Sequence, residues 1–327
     1  MHVTGKNDPE DIKKTARQVI TDEAMAVSLL AGYIDDEFAR AVNLILNSSG
    51  RLVVTGIGKS AIIGAKIVAT LNSTGTPSIF MHAADAIHGD LGIIQEDDIV
   101  LCISKSGSSP EIKLLVPLIG NLGNKIIAMV ANRESFLAQK ADLSIITPVE
   151  KEACPNNLAP TSSTTVQLVT GDALAVCLLE CRGFSEKDYA RFHPGGALGK
   201  KLYMRVSDFF LENKLPRVSI NDSISRSIVE ISSKRLGATA VIDERGNLAG
   251  IITDGDLRRM LEKNRDINSL KAGDIMTKNP KTIDYSSLAI EAFDRMKKNN
   301  ITQLLILRDG VYAGIIHLHD ILKEGVV

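Results

Sequence analysis

The chain has 327 residues, of which 44% are hydrophobic and 24% are charged, and its formal net charge is −1. This length favours two domains, and the composition is typical of a folded globular protein. A net charge near zero gives no general attraction to nucleic acid or to an anionic membrane. Aromatic residues make up only 4% and Trp is absent, which disfavours stacking on bases. We therefore expect neither a nucleic-acid partner nor a membrane partner.

The first residues, MHVTGKNDPEDIKK, lack the apolar stretch of a signal peptide. The longest apolar run, at residues 173–179, is too short to cross a bilayer. The four cysteines form no CxxC pair, which is typical of buried thiols in a reducing compartment. These features predict a cytoplasmic protein.

Short β-rich segments alternate with helical patterns between residues 50 and 150. Strands are predicted at residues 52–56, 77–82, 98–104, 125–131 and 143–149, with helices at 62–71 and 111–122 between them. Such nearly continuous apolar strands are typical of a parallel sheet that is covered on both faces. A long helix over 10–47 and another over 164–182 complete the prediction. The expected fold is a three-layer, doubly wound α/β domain with a five-stranded parallel sheet.

An internal repeat occupies the second half of the chain. The segment 246–257, GNLAGIITDGDL, corresponds to the segment 310–321, GVYAGIIHLHDI, at an offset of 64 residues. The same offset pairs Pro216 with Pro280 and Ser223 with Ser287, and each copy is predicted as strand, helix, strand, turn, strand, helix. The repeat resembles a tandem pair of CBS modules, an α+β arrangement in which the two modules pair face to face.

Ligands of open α/β sheets bind outside the carboxyl ends of the strands, so the segments that follow the strands are candidate sites. The first strand leads into the segment 56–60, GIGKS, where Val53 occupies the position of the first Walker A glycine. The segment fits GxGxxA, but the second strand ends at 81–82, MH, without the acidic residue that a dinucleotide requires. We therefore expect Lys59 and backbone N–H groups to meet an anionic ligand.

The third strand is followed by the segment 104–111, SKSGSSPE, and then by a helix. Hydroxyl groups beside a helix amino terminus suit a phosphate. Capping by Ser109 before Pro110 explains one of these serines but not the others. The segment predicts a phosphate site.

Other polar residues at this edge have alternative interpretations. Glu152 follows the fifth strand and is either a catalytic base or one more solvated loop residue. The hydroxyl run 161–165 is either part of the site or the cap of the next helix. His82 and His88 follow the second strand, six residues apart, and are either ligand contacts or incidental.

Taken in order, the motifs GxGKS, HGD, SxSGxSxE, EACPxxLAPTSST and HPGGALGKKL resemble those of the SIS-domain arabinose-5-phosphate isomerases. The resemblance covers residues 40–205, and the CBS pair over 205–327 completes the architecture of that family. It implies interconversion of D-arabinose 5-phosphate and D-ribulose 5-phosphate through an enediol, with no required cofactor. The implied pathway is Kdo and lipopolysaccharide biosynthesis, with a sorbitol-linked isoform as the alternative.

The resemblance also assigns site residues. It implies four catalytically relevant groups: Lys59, Glu111, Glu152 and His193. The positions that match the phosphate loop are Ser104, Ser106 and Ser109. The positions that match those around the sugar are Gly75, Thr76, His82 and His88, and His82 is also the expected ligand of an inhibitory zinc. Two residues depart from the pattern, since Lys105 stands where Asn is usual and Ser108 where Glu, Asp or Asn is common.

The isomerisation requires a base for carbon, an acid near the two oxygens and a group that balances the developing charge. We expect Glu152 to be the base and Glu111 to position a hydroxyl or a proton. Lys59 would stabilise the oxyanion or the phosphate, and His193 would open the sugar ring or carry protons. Because His193 lies beyond the last helix of the first domain, it can complete the site of a neighbouring subunit, and we expect a homotetramer.

Two other functions stay open: a SIS isomerase of a hexulose or heptose phosphate, and a non-catalytic regulator that senses a sugar phosphate. Retention of both Glu111 and Glu152 favours an enzyme. Thr253 and Asp256 of the first CBS copy are predicted to bind a nucleotide or nucleotide-sugar effector, with a clamp of the oligomer as the alternative role of the pair. The expected domains are a helical segment (1–40), the SIS domain (41–184), a linker (185–206) and the CBS modules (207–267 and 272–327).

Overall fold

Residues 8–209, 215–263 and 267–327 are described by the computed structural model. They fall into two units, Met1–Tyr189 and Ala190–Val327. The first contains the predicted parallel sheet and the second contains the internal repeat.

The first unit is organised by five parallel strands in the spatial order β2-β1-β3-β4-β5. Their bounds are β1 Leu52–Gly56, β2 Ser78–His82, β3 Ile99–Ile103, β4 Lys125–Val130 and β5 Leu143–Ile146. The central strands β1 and β3 are buried along their whole length, which explains their unbroken apolar sequences. The predicted five-stranded sheet is confirmed, with strand ends trimmed by one to three residues.

Helices cover both faces of this sheet. They are α1 Pro9–Leu30, α2 Asp36–Leu46, α3 Lys59–Ser73, α4 Ala83–Ala86, α5 Pro110–Leu122, α6 Phe136–Lys140 and α7 Ser162–Cys181. One apolar cluster joins Leu101 of the sheet to Ile67 of α3 and Leu174 of α7. A second cluster on the opposite face joins Val100 to Leu115 of α5. The predicted three-layer α/β architecture is therefore confirmed.

By length and composition alone, α7 could cross a membrane, because its 20 residues have a mean hydropathy of 1.3 in the most apolar window. In the structure this helix packs against α1, α2 and α3. Val166, Leu174 and Leu178 on it are completely or almost completely buried in the core of the unit. This packing accounts for the apolar composition of α7.

The helix predicted over residues 10–47 is two helices. α1 ends at Leu30, a 3₁₀ turn covers Ala31–Tyr33, and α2 begins after Asp35. The Asp35 carboxylate accepts hydrogen bonds from the backbone N–H groups of Glu37 (3.0 Å) and Phe38 (3.2 Å). Gly32 followed by an Asp cap is the sequence signal for this break.

The prediction of buried thiols holds for only one cysteine. Cys102 is completely buried in β3, and burial raises its pKa to about 12, so its thiol is unreactive. Cys154, in the segment after β5, and Cys177 of α7 are half-buried, and Cys181 at the end of α7 is exposed.

In the second half, three short helices precede the repeat: α8 Glu186–Phe192, α9 Ala197–Tyr203 and α10 Val206–Phe209. The first copy consists of β6 Arg217–Ser219, α11 Ile224–Lys234, β7 Ala238–Ile242, β8 Leu248–Thr253 and α12 Asp254–Glu262. The connection contains α13 Ala272–Ile275 and β9 Thr277–Lys278, which joins the first copy's sheet. The second copy consists of β10 Thr282–Asp284, α14 Ala289–Asn299, β11 Gln303–Arg308, β12 Val311–His317 and α15 Leu318–Lys323.

The sheets of the two copies share one apolar core. Leu236 and Ala240 of the first copy lie in the same buried cluster as Leu305 and Ile315 of the second. The Tyr312 hydroxyl, also in this cluster, donates a hydrogen bond of 2.9 Å to a backbone carbonyl of the first copy. The two copies therefore form a single paired unit, as predicted for CBS modules.

The offset between the copies is not 64 residues throughout, and this corrects the sequence alignment. Ala240 N donates to Pro216 O, whereas the equivalent bond in the second copy joins Leu305 N to Lys281 O. These pairs are 65 residues apart, so Pro216 corresponds to Lys281 and not to Pro280.

The change of offset arises in the hairpin turn of each copy. Ile242 pairs with Leu248 in the first hairpin, and Leu307 pairs with Tyr312 in the second, which makes the second turn one residue shorter. The first strand, helix and second strand are therefore offset by 65 residues, and the last strand and helix by 64. For the same reason the α11 cap Ser223 corresponds to Leu288 and not to Ser287.

The last helix of each copy begins with a reciprocal cap. Thr253 Oγ1 accepts from Asp256 N (3.3 Å), and the Asp256 carboxylate accepts from Thr253 N (2.9 Å). In the second copy, His317 Nδ1 accepts from His319 N at 3.1 Å. An imidazole nitrogen accepts a hydrogen bond only when it is unprotonated, so this cap requires neutral His317.

We predict that the second copy loses stability in mild acid because of His317. Burial lowers the pKa of His317 and nearby His319 lowers it further, whereas Asp320 opposes the shift. Neutral His317 contributes fully to the free energy of unfolding above pH 6.5, the ordinary pKa of histidine. This contribution is lost as the pH falls through the lowered pKa of the folded state. His317→Thr copies the Thr253 cap, so it should remove up to about 1 kcal/mol of the destabilisation between pH 7.5 and 5.5.

Thermal unfolding of the full chain at both pH values measures this effect. His88→Thr, which alters an exposed histidine of the first unit, is the control. An equal acid response of wild type and His317→Thr would contradict the prediction.

Candidate active site

Three long helices of the first unit begin at the carboxyl edge of the sheet. The strand ends lie side by side there, since Gly56 pairs with His82 on one side and with Ile103 on the other. α3 follows β1, α5 follows β3, and α7 follows the long segment after β5. Helix amino termini carry partial positive charge and unpaired N–H groups, so this edge suits an anionic ligand.

The turn between β1 and α3 delivers Lys59 to this edge. Gly58 has a φ of +58°, and an added Cβ would meet open space, so the backbone conformation is what requires glycine. Lys59 is the first residue of α3 and is exposed. It has no hydrogen-bond or ion-pair partner in the described parts of the chain, so its charge is available to an anion.

The loop after β3 is organised by its own serines. Ser104 Oγ accepts a hydrogen bond from Gly107 N at 3.1 Å, and Ser106 Oγ accepts one from Ser108 N at 3.4 Å. A hydroxyl that accepts through oxygen keeps its O–H as a donor. The two hydroxyls can therefore donate to a bound ligand while they hold the loop in shape.

Ser109 and Glu111 lie at the start of α5. Ser109 is the N-cap, and its hydroxyl accepts from Ile112 N at 3.5 Å. Glu111 is in the first turn and half-buried, and no residue within the described ranges forms a hydrogen bond or an ion pair with its carboxylate. The Ser109 hydroxyl is therefore used in capping α5, whereas the Glu111 carboxylate can contact a ligand.

The neighbouring β4–α6 connection holds this loop in place. Gly107 has a φ of +60°, and an added Cβ would lie 2.4 Å from Ser135 Oγ, so both conformation and space require glycine. Leu137 N donates to Gly107 O at 2.9 Å, and Phe136 N donates to Ser108 Oγ at 3.3 Å. The serine loop is therefore a preformed feature.

Glu152 is a buried carboxylate with a partner on each oxygen. It is only 4% exposed, and Lys105 Nζ donates to its Oε1 at 2.6 Å. Its Oε2 accepts from the backbone N–H groups of Thr161 (2.8 Å) and Ser163 (3.1 Å) at the start of α7. Its own N–H donates to Asn157 Oδ1 at 2.7 Å. The Glu152 carboxylate, and not the Thr161 hydroxyl, therefore caps the start of α7.

These contacts set the protonation of Glu152. Burial opposes ionisation, but the hydrogen bonds from Lys105, Ser163 and Thr161 outweigh it and lower the pKa of Glu152 from 4.5 to about 2. The carboxylate is thus fully ionised near neutral pH. An effective general base has a pKa near the working pH, so Glu152 is a weak base in the absence of a ligand.

Hydrogen bonds join the three segments at this edge. The Lys105–Glu152 contact links the loop after β3 to the loop after β5. Ser60, next to Lys59, donates to Gln167 Oε1 at 3.1 Å and so links α3 to the second turn of α7. Lys59, the serine loop and Glu152 therefore surround one region.

Two predicted histidines lie after β2. His82 ends the strand, and its Nδ1 is buried without a hydrogen-bond partner in the described residues. The nearest carboxylate oxygen is Asp85 Oδ2 at 3.7 Å. His88 is exposed in the segment after α4. Both sit near the carboxyl end of β2, as the sequence predicts.

The residues around His82 do not form a complete metal site. Within the described ranges there is no group of three or more His, Cys, Asp or Glu side chains that could hold a metal ion. Protein-bound zinc needs three or four such ligands. His82 and Asp85 supply two, so these residues do not fit a zinc bound by one chain, and zinc inhibition stays a prediction.

Gly75 and Thr76 lie at the opposite edge of the sheet from His82, and their expected role around the sugar stays a prediction. They precede Ser78, the first residue of β2, whereas His82 is its last. Gly75 has a φ of +85°, and an added Cβ would lie 2.6 Å from the Phe184 ring, so packing explains this glycine. Within one chain these two residues are separated from the region around Glu152 by the full length of the strand.

His193 lies in the second unit, between α8 and α9, whereas Lys59 and Glu152 lie in the first. Its carbonyl accepts from Gly196 N at 3.1 Å, and an added Cβ on Gly199 would lie 2.3 Å from that carbonyl oxygen. Close packing against this carbonyl therefore explains Gly199 of HPGGALG, and the catalytic role of His193 stays a prediction.

The proposed effector residues, Thr253 and Asp256, serve the α12 cap. Asp256 is 7% exposed and also accepts from Arg259 Nη2 (2.7 Å) and Thr277 Oγ1 (3.1 Å). Both of its oxygens are therefore engaged within the chain, and a ribose hydroxyl would have to displace one of these partners.

Sequence reasoning missed three residues that shape the site: Lys105, Asn157 and Gln167. Asn157 has a φ of +53°, a conformation that Asn tolerates better than most residues. Lys105 falls on a variable position of its motif, although a lone cation within a serine run signals an anionic partner. No local signal marks Gln167, whose contact crosses 107 positions of sequence.

The fold and the carboxyl-edge site define a SIS-type sugar-isomerase domain followed by a CBS pair. Residues 45–177 match the SIS domain, and residues 206–263 and 272–326 match the CBS domain. The arabinose 5-phosphate isomerase KdsD of Pseudomonas aeruginosa is 47% identical over 97% of this chain and 98% of its own length. KdsD of Escherichia coli K12 is 41% identical over 97% of each chain.

A solved structure of the Escherichia coli CFT073 protein c3406 in complex with arabinose 5-phosphate is also similar. It is 39% identical with a TM-score of 0.56, and the match covers 57% of this chain and all of that one. The chain belongs to the KdsD family of arabinose 5-phosphate isomerases. The predicted fold, family and isomerase class are confirmed.

We predict that Glu152 makes the first unit sensitive to acid. The pKa of Glu152, about 2, lies below the ordinary 4.5. Ionised Glu152 therefore contributes fully to the free energy of unfolding above pH 4.5, and this contribution is lost as the pH falls toward 2. The full contribution is about 3 kcal/mol, and wild type loses part of it between pH 5 and pH 3. Glu152→Gln should not show this loss of stability.

Urea unfolding at a series of pH values measures this contribution. Glu150→Gln alters an exposed carboxylate two positions away and is the matched control. The assignment fails if wild type and Glu152→Gln lose stability in parallel over this range.

Proposed function

We propose that the chain interconverts D-arabinose 5-phosphate and D-ribulose 5-phosphate at the carboxyl edge of the SIS sheet. The observation that carries this proposal is the contact between a preformed serine loop and a buried carboxylate, Lys105 Nζ to Glu152 Oε1 at 2.6 Å. An aldose phosphate needs both features, one for its phosphate and one for the carbon-bound proton. Membership of the KdsD family supports this substrate.

The phosphate binds at the serine loop and the start of α5. Ser104 and Ser106 donate their O–H groups, since their oxygens already accept from the loop. The amino terminus of α5 adds partial positive charge, and Ser109 sits at that terminus. This end of the substrate is held by groups that take no part in the chemistry, so its binding energy can orient the reacting carbons.

The chemistry is a proton transfer through an enediol. Glu152 removes the proton from C2 of the aldose, and the electron pair forms the C1–C2 double bond as O1 takes up a proton. Return of a proton to C1, with loss of the O2 proton, gives the ketose. Lys59 balances the charge that develops on oxygen, Glu111 carries the proton between the oxygens, and His193 assists ring opening.

We predict that Glu152→Gln strongly slows turnover while the fold survives. Glutamine keeps the size of the side chain and can still accept from Thr161 and Ser163, but it cannot take up a proton. The rate should fall by a factor of about 10² to 10⁴. NMR-detected isomerisation of D-arabinose 5-phosphate measures it, with hexulose and heptose phosphates as competing substrates and Glu150→Gln as control.

Near wild-type turnover by Glu152→Gln would exclude Glu152 as the base. Faster turnover of a hexulose or heptose phosphate by wild type would reassign the substrate within the class. No turnover of any of these sugars would favour a regulator.

We propose a homotetramer in which His193 completes the site of a neighbouring subunit. Separately inactive Glu152→Gln and His193→Ala chains should then regain part of the activity when they assemble together, because some sites would receive both intact residues. The measurement is turnover by mixed oligomers whose composition is verified by mass spectrometry. Verified mixed oligomers without activity would place His193 and Glu152 of one chain in one site.

The remaining proposals concern location and regulation. We expect the enzyme to act in the cytoplasm and to supply Kdo biosynthesis. A nucleotide or nucleotide-sugar would bind the CBS pair at Thr253 and Asp256 in place of one of the partners of Asp256. Because those partners hold the start of α12, such binding would be coupled to the position of that helix.

A further inference from the structure

Lys105 is a cation of the serine loop that the mechanism above does not use. It lies between Ser104 and Ser106, and 43% of its side chain is exposed, whereas its partner Glu152 is 2% exposed. An ammonium group has three N–H donors. One donates to Glu152, and the described residues provide no acceptor for the other two. The exposed side of this ammonium therefore faces solvent at the place proposed for the phosphate.

The position of this ion pair differs from that of comparable pairs in the same unit. Lys125 and Asp142 form an equally short pair of 2.7 Å, but Lys125 begins β4 and Asp142 immediately precedes β5. That pair lies at the amino edge of the sheet. The Lys105–Glu152 pair joins two loops at the carboxyl edge, where ligands of open α/β sheets bind.

We propose that Lys105 is a positioning residue that couples phosphate binding to the base, because its ammonium contacts the Glu152 carboxylate and the phosphate dianion of the substrate together. The proposal rests on the proposed function. It adds a further residue to the phosphate site and predicts that a phosphorylated sugar reacts faster than an unphosphorylated one.

The coupling follows from the charges. A phosphate monoester carries a charge of about −1.5 to −2 at pH 7. Placed against Lys105, it offsets the positive charge that keeps Glu152 ionised, so the proton affinity of Glu152 rises when substrate binds. The base is then weak in the empty site and stronger in the complex. An unphosphorylated sugar leaves Glu152 in its weakly basic state.

The other charged groups near Glu152 do not duplicate this effect. Lys151 of the same loop pairs with Asp22 of α1 at 3.9 Å. Lys59 and Glu111 begin α3 and α5 and do not contact Glu152 in the structure. The remaining partners of Glu152 are the uncharged N–H and hydroxyl groups at the start of α7 and the Asn157 amide.

The test measures substrate binding and the pH dependence of turnover in the same variants. Lys105→Met should raise KM for D-arabinose 5-phosphate, and the inhibition constant of inorganic phosphate, about tenfold, the loss expected for one charge-assisted hydrogen bond. It should also move the acidic limb of the kcat profile upward by about one pH unit or more, because Glu152 loses its cation. Lys105→Arg keeps the charge. It should keep KM, the inhibition constant of phosphate and the proton affinity read from the acidic limb within about threefold of the wild-type values.

Lys125→Met is the matched control, since it removes the same charge from a pair of similar length at the opposite edge, and it should change neither quantity. An unchanged KM in Lys105→Met would show that Lys105 does not contact the phosphate. An unmoved acidic limb would show that it does not control Glu152. Either result overturns the coupling.

Circular dichroism checks the fold of each variant, and Lys105→Gln, which keeps one donor for Glu152, replaces Lys105→Met if that chain does not fold. Wild-type turnover distinguishes a failure of the proposed function from a failure of the Lys105 contact. If wild type does not isomerise D-arabinose 5-phosphate, the proposed function fails. Calorimetry with inorganic phosphate then tests the Lys105 contact alone, and equal affinity of wild type and Lys105→Met would overturn that contact as well.

Discussion

The contact between Lys105 and Glu152 stabilises the fold and joins the two residues that we propose to act on the substrate. Glu152 closes the start of α7 by accepting from Thr161 and Ser163, and a buried carboxylate in that position needs a cation. Lys105 supplies the cation from the loop after β3. The same bonds that secure the fold lower the basicity of the carboxylate. Under the proposed coupling, Glu152 is a weak base in the empty site and becomes a stronger one when a phosphate contacts Lys105.

The sheet explains why these groups can meet although they are far apart in sequence. Parallel strands bring all their carboxyl ends to one edge, so loops that follow β1, β3 and β5 become neighbours. Each loop is then fixed by one specific local requirement. Gly58 and Gly107 adopt left-handed backbone, and Gly107 also leaves room for Ser135. The loop after β3 is therefore preformed, and a preformed site reduces the entropy that binding must overcome.

The sequence predicted what depends on local pattern and failed where the outcome depends on distant partners. Five strands, the serine loop and the start of α5 follow from apolar runs, serines and a capping signal, and all of these are local. The break between α1 and α2 is also local, but periodicity masks the Gly32 and Asp35 signals. The 64-residue offset failed because a single deletion in a turn is invisible when both flanking motifs align. Motif order carries no information about which edge of a sheet a residue occupies, so the sequence did not predict that Gly75 lies opposite His82.

In the second unit, the capping role of Asp256 limits its availability to a ligand. Both copies begin their last helix with the same reciprocal cap, but Thr253 provides the first and His317 the second. In the first copy Asp256 has further partners in Arg259 and Thr277, so its carboxylate is satisfied without a ligand. A nucleotide that binds there must replace a hydrogen bond that orders the helix start. Nucleotide binding in the first copy is then coupled to the position of α12. In the second copy, protonation of His317 disturbs the cap of α15. The two copies therefore differ in what can disturb them, although they share a fold.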